Sequence, residues 1–166
     1  MTARLSHVAM FVCGVLASSA GLAAQVELDR ILSRVNGKII TRSDVRQAQV
    51  LKLVDEVGSE ASTQRALENR LLLLGELSRV TSLPPATAGE LEARRREWEA
   101  SLGGGANAAR QLSQTGMSAP ELENWLRDDL RIQAYLRRQF GAIPDQDRSR
   151  AVADTLSRLR MRAGLE

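Results

Sequence analysis

The stretch from Arg30 to Val45, Arg-Ile-Leu-Ser-Arg-Val-Asn-Gly-Lys-Ile-Ile-Thr-Arg-Ser-Asp-Val, constrains this chain more than any other. It compresses a strand, a tight turn, a second strand and a helix start into a single run. Ile31, Leu32 and Val35 precede Asn36-Gly37, and Ile39 and Ile40 follow it. Asn-Gly tolerates positive φ at both central positions, as a type I′ hairpin turn requires. Thr41 stands three residues before Asp44, the spacing at which hydroxyl and carboxylate reciprocally cap the first N–H groups of a helix. On spacing alone, a generic hairpin followed by a helix fits equally well.

The residues ahead of this module read as a secretory signal peptide. Arg4 and His7 form a polar start, Val8 to Ala17 is apolar, and Ser18-Ser19-Ala20-Gly21-Leu22-Ala23-Ala24 supplies small residues. A membrane span needs about 20 apolar residues, and this run is shorter. The expectation is removal of residues 1–24, with a mature start at Ala24 or Gln25 and a periplasmic or secreted location. An uncleaved anchor is disfavoured by the small-residue cluster and by the lack of a second apolar span. Cys13 sits inside the apolar run behind Met10-Phe11-Val12, which does not suit a lipidated cysteine.

Processing would also remove the one cysteine and the one histidine of the chain. Disulfides, Cys/His zinc sites, Cys–His nucleophiles and Ser–His–Asp triads are then excluded. No cofactor and no enzymatic activity are expected, since neither Lys38 nor Lys52 has a nucleophile motif beside it. About 140 mature residues suffice for one modest core, so residues 25–166 are read as a single domain.

The formal net charge is +3 and the pI about 9.7, but acids and bases interleave and export argues against nucleic acid. Arg94-Arg95-Arg96 is the densest basic run. Glu90 and Glu92 stand four residues ahead of Arg94 and Arg96, so pairing along a solvated helix face is the expected arrangement.

From the hairpin onward the pattern is helical. A helix is expected from Arg42 to about Glu56, with Val45, Ala48, Leu51 and Val54 on one face and a stop near Gly58. The next runs from Ala66 to about Val80; Leu67, Leu71 and Leu74 share a side, and Leu72, Leu73 and Leu77 extend the apolar surface well around it. Such a helix is buried or awaits a partner. Thr87 and Glu90 form a second capping box after Pro84-Pro85, and Gly103-Gly104-Gly105 closes that helix without the lysine or context of a phosphate loop. A short helix from Ala106 to Leu112 precedes Gly116. Ser118-Ala119-Pro120-Glu121 opens a long helix carrying Leu122, Trp125, Leu126, Ile132, Leu136 and Phe140, stopped by Gly141 and Pro144. A last helix is expected from about Gln146 to Arg160. The fold class is therefore mainly α, a helical domain with an N-terminal β-hairpin. An isolated hairpin is marginal in water, so either a third strand from near Met161 to Leu165 or packing against the helices is expected to support it.

In this order the modules resemble the N-terminal domain of the SurA family of periplasmic chaperones. The matching phrases are Leu28-Asp29-Arg30-Ile31-Leu32, Val35-Asn36-Gly37, Ile39 to Val45, Ala66 to Leu74, Met117 to Leu122, and Trp125-Leu126-Arg127-Asp128-Asp129-Leu130. The likeness covers roughly Val26 to Phe140, and the tail from Leu156 to Leu165 is similar to the family's closing segment. Many members carry parvulin-type prolyl isomerase domains after the helical region, whereas Gly141 to Glu166 leaves no room for one. The resemblance implies ATP-independent binding of unfolded or extended polypeptide clients in an apolar groove, with no stable membrane span after processing. Leu72, Leu73, Trp98, Trp125 and Tyr135 are the candidate client-binding residues, with the core as the favoured alternative for both tryptophans. A competing expectation is a structural interaction subunit that uses the same surface for one dedicated partner or for a homodimer.

Overall fold

Asn36 and Gly37 take φ values of 50° and 79°, the left-handed pair that a type I′ turn needs. They join β1 (Ile31–Val35) to β2 (Lys38–Thr41) as an antiparallel hairpin, with Val35 opposite Lys38, Arg34 opposite Ile39 and Ser33 opposite Ile40. The computed structural model describes residues 29–55, 58–79 and 83–165, so the expected signal peptide lies outside the described residues. Alternation along β2 buries Ile40 and leaves Ile39 45% exposed.

Thr41 ends the hairpin and caps α1 (Arg42–Val50), with both arms of the capping box to Asp44 in place. Asp29 ties the start of β1 to the same helix terminus, accepting hydrogen bonds from the Ser43 amide and hydroxyl. The Ser43 hydroxyl, followed by that of Thr41, holds the Asp29 carboxyl below its ordinary range. Helix α1 is shorter than its apolar spacing suggests. Lys52 turns the chain at φ 47°, and the Lys52 and Leu53 amides bond back to the Gln49 and Ala48 carbonyls. This double closure is a Schellman stop in which lysine occupies the position glycine usually takes. Burial of Leu51 and Leu53 against the other helices offsets the left-handed strain.

The remaining helices are α2 (Glu60–Leu77), α3 (Ala88–Ser101), α4 (Gly105–Thr115), α5 (Ala119–Phe140) and α6 (Asp145–Ala163). Helix α2 begins a turn and a half before the apolar run because Ser59 accepts from the Ser62 amide. Capping boxes start α3 at Thr87 and Glu90 and α5 at Ser118 and Glu121, as their spacing requires. Helix α2 is the hub, packing on α1, α5, α6 and both strands, and α3 lies along α5. One cluster of buried residues runs through all of them, from Val35 and Val45 through Leu67, Leu122 and Leu126 to Leu159.

Of these two supports, the third strand from Met161 to Leu165 does not form. Helix α6 continues to Ala163, and Gly164 closes it at φ 68°. Leu165 then bonds back to the Arg160 carbonyl and packs on the core. Among the described residues the sheet has two strands, and the hairpin draws its support from helices. Its turn docks on α2, where the Asn36 side-chain amide donates to the Leu71 carbonyl at 3.3 Å. Gly75 permits this approach, since a Cβ there would collide with that amide.

Arg94 does not take the expected Glu90 partner, although it reaches Glu97 along its own helix at 3.6 Å. It crosses to Asp129 of α5, with Nε 2.7 Å from the carboxylate, while Glu90 is held by its capping role, its carboxyl kept low by the Thr87 backbone N–H first and the Thr87 hydroxyl second. Facing helices were invisible to a spacing rule that counts along one helix.

Candidate functional site

A cleft of about 530 Å³ lies between β2, α1, α2 and the start of α5. Its floor is apolar, with Ala48 of α1, Leu53 of the following turn and Leu67 of α2. One wall is β2, with Ile39 and Ile40. The other is Met117, ahead of α5, and Trp125 on its second turn.

Arg70 of α2 shapes that second wall. It is 8% exposed, and its guanidinium carbon lies 3.9 Å from the centroid of the Trp125 ring. Nη2 donates to the Trp125 carbonyl at 2.7 Å, and Nη1 reaches Asp129 at 3.4 Å. A single cation thus braces the indole through both its ring face and its backbone. Burial draws the Arg70 guanidinium below its ordinary value, opposed chiefly by the Asp129 charge. Arg94 and Gln133 also donate to Asp129, so that carboxylate is shared among three side chains.

The charges around the cleft oppose the sign of the whole chain. Asp44, Glu121 and Asp128 line it against Lys38 and the internally paired Arg70. Glu121 is held below its ordinary value by the Ser118 backbone N–H first and the Ser118 hydroxyl second, so it stays ionised. Asp128 is additionally bonded to Arg131 at 3.1 Å.

The five candidate residues separate. Trp125 lines the cleft, half-buried, and is the one that the fold brings there. Leu72 and Leu73 are core residues, 4% and 7% exposed, and belong to the shared apolar cluster. Trp98 is likewise buried, with its indole N–H donating to the Leu51 carbonyl at 2.8 Å. Tyr135 lies half-buried further along α5 and does not line the cleft. Sequence reading missed Ile39, Met117 and Arg70. For Arg70 a signal exists: a cation placed directly before Leu71-Leu72-Leu73-Leu74, on a helix apolar nearly all round, must either be solvated or be paired inside.

Among the described residues no group of three or more Cys, His, Asp or Glu side chains is placed to hold a metal ion, and no helix is long and apolar enough to cross a membrane. The chemistry this cleft offers is adhesion: apolar surface, one braced aromatic face and a rim of carboxylates. Comparisons with family models, with curated proteins and with solved structures find no match for this chain.

Proposed function

We propose that this chain is a SurA-type periplasmic chaperone that shelters apolar segments of unfolded outer-membrane or secreted polypeptides, reversibly and without nucleotide. The observation that carries the reading is the open apolar cleft beside the hairpin, walled by Trp125 on its Arg70 brace. Among the described residues nothing covers the apolar surface that the helices leave there, and an extended segment gains by burying its own side chains against it. A half-buried indole adds an aromatic contact of about 0.5–1.5 kcal/mol beyond area burial. Contacts of this kind bind weakly and release readily, which suits a holding factor.

The test is suppression of aggregation of an unfolded outer-membrane protein by the purified chain, with and without added salt. Suppression that survives moderate salt is expected, since screening acts mainly on exposed charge pairs. No suppression, together with a stoichiometric complex with one folded protein, would replace this reading with that of a dedicated interaction subunit.

A further inference from the structure

Among the described residues β2 pairs with β1 alone, and β2 contributes Lys38, Ile39 and Ile40 to the lining of the cleft. In a two-residue hairpin the pair closing the turn, here Val35 and Lys38, exchanges hydrogen bonds, and the next pair does not. That next pair is Arg34 and Ile39. The Ile39 N–H and C=O therefore point away from β1, and Ile39 is one of the residues that line the cleft. Among the described residues, no hydrogen bond outside the hairpin reaches these two groups. The Ile39 side chain is 45% exposed beside them. An edge with free backbone groups next to apolar pockets is the arrangement by which sheets accept an added strand.

The rim says what such a strand should carry. Asp44, Glu121 and Asp128 line the cleft with the exposed Lys38; with Arg70 paired to Asp129 and Asp128 to Arg131, two carboxylates face one free cation there among the described residues. On a chain of net charge +3 this is a local reversal of sign, and it favours a segment bearing lysine or arginine. We propose that the edge of β2 receives an extended polypeptide segment as a third strand, pairing through the Ile39 backbone. Alternate apolar side chains of the segment enter the cleft against Trp125 and Met117, and its basic residues meet the carboxylate rim. This rests on the client-binding reading and specifies its mode.

The probe is a synthetic peptide of about eight residues that alternates leucine or tyrosine with lysine or threonine, titrated into the intact chain. Two further peptides carry backbone N-methyl groups, one on the odd residues and one on the even. A strand added to one edge uses the N–H groups of a single phase, and slipping by one residue would turn the apolar side chains out of the cleft. One methylated peptide should bind roughly tenfold more weakly than the parent and the other within about twofold, the size expected for losing one or two main-chain hydrogen bonds. Replacing lysine by norleucine should weaken binding about twofold at low salt. Ile39→Pro removes the edge donor at a position whose N–H the hairpin does not use; with the fold intact by circular dichroism, it should erase the difference between the two phases.

Equal weakening by both methylated peptides overturns strand addition and leaves client binding standing. So does failure to bind the parent peptide while aggregation is still suppressed. Loss of both activities overturns the underlying reading as well. A concentration-dependent dimer that buries the Ile39 amide would assign the edge to a second copy of this chain and overturn the proposal.

Discussion

Helix α2 faces two different environments along its length. Toward α5 and α6 its polar groups are buried and matched: Arg70 meets Asp129 and the Trp125 carbonyl, and Glu68 accepts from Gln64 at 2.9 Å and from Arg160 at 2.8 Å. Toward the hairpin the same helix borders an open cleft beside β2, which among the described residues pairs with β1 alone. The difference lies in what fills the gap between neighbours. On the closed side long cations reach across and find carboxylates. On the open side the lining is largely apolar, from Ile39 and Leu67 to Met117 and Trp125, and among the described residues no side chain bridges the space. Stability should therefore reside on the closed side and binding on the open side, and substitutions can separate the two.

The largest effect should come from Leu122→Ala. Leu122 is 1% exposed in the shared core, and truncating such a leucine costs about 2–5 kcal/mol. Urea unfolding should place this variant lowest in stability. Arg70→Met should follow, at about 2 kcal/mol, because it takes a charged hydrogen-bond donor from the half-buried Asp129 carboxylate and from the Trp125 carbonyl. Arg94 still reaches that carboxylate, which holds the loss toward the lower end of the usual range. This variant also removes the brace under Trp125, so its indole emission should change where that of Leu122→Ala does not.

Ser118→Ala should cost about 1 kcal/mol, the usual value for a helix cap, since it removes the acceptor for the Glu121 amide. Acidification acts on both sides of α2. Burial pushes the Glu68 carboxyl up, but hydrogen bonds from Gln64 and Arg160 outweigh it, so its folded value lies below the ordinary 4.5. Glu121 is also lowered from 4.5. A carboxyl with a depressed folded value contributes stability that is complete above its unfolded value and lost as pH falls through the folded one. Melting temperature should accordingly hold from neutrality to about pH 5 and decline below 4.5; a flat profile down to pH 3 would contradict the assignment. Smallest of all should be Ile39→Ser, within about 0.5 kcal/mol of the parent because the side chain is exposed, yet it should weaken client binding measurably.

What the sequence made legible follows the same division. The Asn-Gly turn and the boxes at Thr41, Thr87 and Ser118 are local signals, and each appears in the fold at its expected position. Trp125 was readable as a candidate because a large aromatic must go either inside or to a partner, yet nothing local distinguished it from Trp98. That choice depends on Arg70, 55 residues away. The end of α1 was missed because a lysine, not a glycine, takes the left-handed position. A third strand was one of two answers to the hairpin's need for support, and the Asn36 contact with α2 supplies the other. Pairings such as Arg94 with Asp129 depend on helix juxtaposition and leave no trace in spacing.

Amide hydrogen exchange, followed through the chain with and without a saturating unfolded client, tests the central claim most directly. Added protection is expected at Lys38 to Ile40 and at Gly116 to Trp125, with the α2–α6 contact around Glu68 and Arg160 unchanged. Protection confined to the closed side, or none at the hairpin and the start of α5, would contradict it.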